Sequence, residues 1–230
     1  MSSERNVPRF LGGAFLLVIC TSLLGGLLFS APAADAPQEI LTSISRDIGL
    51  YRVSIIADLF NSGAIVALAA LLFTVLSRHN RTVALVALGL WLCEAFVLAV
   101  SKIGAYGLIP ISGAAGSGPA ASGLEPLVNF LYYGLDETGY RLHMFFYCLG
   151  GILWYILFAA SRYVPRIISI FGVAAACAGL IGIVLEFFGY DISIALYLPI
   201  GVFELAIGIW LVIRGIPARV ANTPAAAEHI

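Results

Sequence analysis

Four acids, Asp58, Glu94, Glu186 and Glu204, stand inside stretches that are otherwise continuously hydrophobic. Three bases, Arg52, Lys102 and Arg141, lie in or at the ends of the same stretches, and His143 accompanies them. A charge in hydrocarbon is costly, so such side chains face inward, pair with one another or line a wet cavity. The chemistry open to them is narrow: binding of a small polar ligand, an ion or a lipid headgroup, or acid–base work by a carboxylate. No nucleophile accompanies the acids, so the expectation leans away from an enzyme.

Other chemistries lack their residues. Only three histidines occur, His79, His143 and His229, and no H-E-x-x-H, G-x-S-x-G or phosphate-binding loop is present. No metal site and no cofactor is expected. The paired glycines Gly12-Gly13, Gly25-Gly26 and Gly150-Gly151 lie inside apolar stretches, where small residues let helices approach. Cys20, Cys93, Cys148 and Cys177 form no C-x-x-C pair and suit small buried hydrophobes.

The elements that must position the charges are membrane helices. The chain has 230 residues, 61% of them hydrophobic and 11% charged, with a mean hydropathy of +1.01. Soluble domains carry about 25% charged residues, so the burial partner here is the lipid bilayer. A net charge of −1 and the lack of a basic patch give no argument for nucleic acid.

A bilayer core needs about 20 mostly apolar residues per helix. Six stretches qualify: 9–31, 50–77, 83–107, 139–161, 167–190 and 195–214. The fold expected is all-α, an integral membrane bundle of six transmembrane helices forming one domain over residues 1–230. Thr82 is the expected N-cap of the third helix. Residues 108–138 are expected to be an outer loop, its 108–123 part flexible, with a short interfacial helix over 124–134; residues 216–230 form a tail. Arg5, Arg9, Arg78, Arg81, Arg162, Arg166, Arg214 and Arg219 all fall on one face of a six-span topology. The positive-inside rule then puts both termini in the cytoplasm of an inner-membrane protein. The apolar run Phe10–Phe29 is longer than the ~7–15 residues of a signal-peptide core, so the first span is expected to be retained.

A helical rise of ~1.5 Å converts position into depth. On that scale Asp58 lies ~12 Å and Glu204 ~14 Å from the outer end of its span, with Glu94 deepest at ~20 Å. Glu186, His143 and Lys102 lie ~6–8 Å in, and Arg52 and Arg141 ~3 Å. The set is one-sided and nearly charge-balanced. Ser54, Asp58 and Ser62 follow i, i+4, i+8 spacing with Asn61 beside them, one polar stripe on the second helix.

The segment Leu50-Tyr51-Arg52-Val53-Ser54-Ile55-Ile56-Ala57-Asp58-Leu59 resembles the second span of the bacterial family known as domain of unknown function 4386. That span has an Arg followed six residues later by an Asp. Gly139-Tyr140, Phe145-Phe146, Pro165-Arg166-Ile167, and Glu204 with Trp210 and Gly215 extend the similarity over residues 8–215, and Glu94 falls where the family has Glu or Gln. Two positions depart: Leu149 and Asp136 stand where family members often carry histidines. The resemblance implies six helices and singles out Arg52, Asp58 and Glu204; it implies no reaction.

Two readings of the charges stand side by side. In one, Asp58, Glu94, Lys102, Glu186 and Glu204 line an outward-facing pocket for a small polar ligand, ion or lipid headgroup, as in a sensor or transporter. In the other they pair helices, and the protein is a structural or assembly subunit of a membrane complex.

Overall fold

The computed structural model describes residues 7–28, 37–115 and 123–215. All regular structure in them is helical: α1 Val7–Leu28, α2 Pro37–Arg46, α3 Ile48–Leu76, α4 Arg81–Ala115, α5 Glu125–Asn129, α6 Thr138–Ser161, α7 Arg166–Phe187 and α8 Leu198–Arg214. A π-helical segment, Phe130–Glu137, joins α5 to α6, and a 3₁₀ turn, Ile194–Leu196, precedes α8. Six helical stretches are long and apolar enough to cross a membrane. Helix is the form such sequences must take, because hydrocarbon offers no partner to a free backbone N–H or C=O.

The cap of α4 is Asn80, not Thr82. The Asn80 side-chain oxygen accepts the N–H of Val83 at 3.0 Å, and Thr82 lies inside the helix. Helix α4 also runs through Pro110 to Ala115, so the first part of the expected flexible loop is helical. A proline removes one backbone donor and kinks a helix without always ending it. The signal-peptide question (29–36), residues 116–122 and the tail at 216–230 lie outside the described residues. Helix α8 stops at Gly215, whose φ of 65° suits glycine and whose N–H still reaches the Leu211 carbonyl at 3.0 Å.

By their contacts the residues group into two compact units. Unit 1 holds Met1–Ile19, Ala64–Glu94 and Met144–Ile230; unit 2 holds Cys20–Gly63 and Ala95–His143. In unit 1, α7 packs along α8: Gly172 leaves room for the Phe203 ring and Gly179 for Ile200. Helix α1 crosses α8 so closely that a Cβ on Gly12 would lie 2.8 Å from the Gly208 carbonyl. In unit 2, the short α2 buries Ile40, Leu41 and Ile44 against Tyr51, Ala105, Leu108 and Val128.

Candidate functional site

The intramembrane charges divide between the two units. In unit 2, Lys102 of α4 is 8% exposed, and its Nζ lies 2.9 Å from Asp58 of α3 and 2.8 Å from Asp136 of the π-helical segment. Two glycines make this possible. A Cβ on Gly25 of α1 would collide with the Asp58 carboxylate, and one on Gly104 would collide with the backbone at Leu131. The π-helical stretch, a geometry frequent at functional sites, carries Asp136 to the lysine. A buried lysine between two carboxylates is well paired.

The rest of the expected unit 2 set behaves differently. Ser54 and Ser62 donate to carbonyls of their own helix, at Tyr51 and Asp58, so the α3 stripe spends its hydroxyls locally. Asn61 accepts from Thr21 of α1 at 2.9 Å. His143 is buried with its ring edge-on to Tyr140. Arg52 is exposed. Arg141 is exposed too and bonds Glu137 one turn away at 2.6 Å.

In unit 1 the acids meet hydroxyls rather than bases. Tyr147 of α6 donates to Glu204 Oε1 of α8 at 3.0 Å, and its oxygen also lies 2.9 Å from the Tyr155 hydroxyl. Trp91 of α4 donates its indole N–H to the Tyr147 carbonyl at 3.1 Å and stacks on the Tyr147 ring. Glu94 follows Trp91 by one turn on α4, is 2% exposed, and lies within electrostatic range of Glu204. Its Oε2 is buried without a hydrogen-bond partner among the described residues. Rings of Trp154, Tyr155 and Phe203 complete this cluster. Glu186 accepts from Tyr197 at 2.8 Å.

Two of the five residues expected to share one pocket, Asp58 and Lys102, are thus in contact in unit 2, and two more, Glu94 and Glu204, lie within electrostatic range of one another in unit 1. Asp136, Tyr147, Tyr155 and Trp91 were not expected at a site. For the aromatics a signal was present: a tyrosine or tryptophan deep in an apolar span needs a partner for its polar atom. For Asp136 the one signal was that it stands where family members often carry a histidine, since it falls outside every apolar stretch.

A buried carboxyl must be neutralised, by a proton on it or by a cation beside it. Lys102 supplies one positive charge to the two carboxylates it bridges in unit 2. Among the described residues Glu94 and Glu204 make no ion pair, and no three or more His, Cys, Asp or Glu side chains converge as metal ligands.

The family model for Domain of unknown function (DUF4386) matches residues 10–215, and the chain belongs to that family. No curated protein and no solved structure matched it.

Proposed function

We propose that this multi-pass membrane protein is a sensor or transporter-like module of the bacterial inner membrane that binds a small cation at Glu94 and Glu204. The observation that carries the reading is the Glu94 Oε2 atom, buried and without a hydrogen-bond partner among the described residues, within electrostatic range of a second buried acid that makes no ion pair among them. An unpaired charge there costs several kcal/mol, so these acids are ionised only when a cation takes the place of the neutralising proton, and such a cation stabilises the fold as it binds. Tyr147, with Tyr155 behind it, orients Glu204 and leaves Glu94 as the open ligand.

Thermal unfolding of the full chain in detergent tests this. A cation at 100 times its Kd stabilises by about 2.7 kcal/mol. The melting temperature of the wild-type protein should rise with added cation, and that of Glu94→Gln should not. Equal responses in both would remove the site.

The Lys102 cluster favours a second role. With both acids paired to one lysine, unit 2 fits helix pairing better than ligand exchange, which is what a structural subunit would require.

A further inference from the structure

We infer that the cation taken by Glu94 and Glu204 is an organic ammonium ion bearing N–H groups. This inference rests on the cation site proposed above and names its ligand class. A proton on either carboxyl oxygen removes the charge of Glu94 but leaves Oε2 without a hydrogen-bond partner among the described residues. A guest that donates an N–H to Oε2 removes the deficit; a proton does not.

A hard metal cation such as calcium takes six to eight oxygens. The cluster offers two carboxyl groups and the hydroxyls of Tyr147 and Tyr155, of which Tyr147 is already engaged at both of its neighbours. An ammonium ion needs fewer oxygens because ring faces supply the rest of its coordination. Rings are what this cluster has in number: Trp91, Tyr147, Trp154, Tyr155 and Phe203 are all buried, with Trp91 against both Tyr147 and Trp154, and Tyr155 against Phe203.

The indole N–H of Trp154 is also buried without a partner among the described residues, while its ring meets Trp91 edge-on at 6.2 Å between centroids. A ligand that carries an acceptor beside its ammonium group would satisfy this donor as well. Orphan groups of opposite character in one aromatic cluster suit a small amine that bears a hydroxyl or carbonyl.

The experiment uses tryptophan fluorescence of the full chain in detergent, with methylammonium and sodium as probes. The chain has three tryptophans, so a Trp210→Phe background leaves the signal to Trp91 and Trp154. Methylammonium should change the emission saturably, and Glu94→Gln and Glu204→Gln should each weaken its apparent affinity about tenfold or more. Sodium at equal concentration should leave the emission unchanged. If sodium acts as methylammonium does, and Glu94→Gln abolishes both effects, the cation site stands and the amine assignment falls. If neither probe acts, or Glu94→Gln responds like the wild type, both fall. The comparison of the two probes on the wild-type protein decides the ligand class even where the variants do not fold.

Discussion

Tyr147 and Glu204 lie 57 residues apart in the chain and 3.0 Å apart in the fold, the tyrosine hydroxyl donating to Oε1. Through this residue α6 is tied to α8, and through its carbonyl and ring it is tied to Trp91 of α4. One side chain therefore sets the position of an acid that would otherwise be buried and free to turn.

Replacing Tyr147 by Phe keeps the ring stack and removes the donor. Glu204 then loses a hydrogen bond in a water-poor setting, at a cost of about 1–3 kcal/mol. Equilibrium unfolding in detergent should show that loss. Glu204→Gln combined with Tyr147→Phe should cost less than the sum of the two, and strict additivity would mean that the pair is not coupled.

Lys102 should be the least tolerant ionisable residue in the chain. Lys102→Met leaves Asp58 and Asp136 facing each other without their cation, a loss of about 3–5 kcal/mol. The triple variant Lys102→Met, Asp58→Asn, Asp136→Asn removes the charges together and should recover most of the stability. A triple variant as unstable as the single one would show that packing, not charge, is at stake.

Much of this was legible in the sequence, and the parts that were not have physical reasons. Apolar length fixes membrane helices almost alone, since no other backbone form survives in lipid, and the bounds of α3 and α6 fall within two residues of the expected ones. Asp58 and Lys102 were legible as intramembrane charges that need partners. Asp136 was not, because its depth depends on a π-helical segment that no periodicity signals. Nor could spacing along single helices show that Glu94 and Glu204 belong to one compact unit and Asp58 and Lys102 to the other. That division comes from which helices touch.

The adjacent glycines of α1 provide an internal control for helix approach. A Cβ on Gly12 would lie within 2.7–2.9 Å of α8 atoms, whereas one on Gly13 meets nothing within 4 Å. Gly12→Ala should destabilise by about 1–3 kcal/mol through overpacking, and Gly13→Ala should be neutral or slightly stabilising. Paired melting curves of the two variants check this, and equal curves would remove the tight α1–α8 crossing.

Orientation is open to cysteine labelling. In a background lacking Cys20, Cys93, Cys148 and Cys177, an impermeant thiol reagent added from outside should modify Ser117→Cys and spare His79→Cys, which lies in the exposed turn before α4. Modification of His79→Cys in intact cells would reverse the topology.

The claim that Glu94 is the open ligand of a cation site is tested most directly by infrared difference spectroscopy of the full chain in lipid, before and after addition of methylammonium. A cation bound at a carboxyl shifts that group's own stretching bands. The account predicts a saturable change in the carboxyl region of the wild-type spectrum that is absent from Glu94→Gln. A flat wild-type difference spectrum, or an identical change in Glu94→Gln, would contradict it.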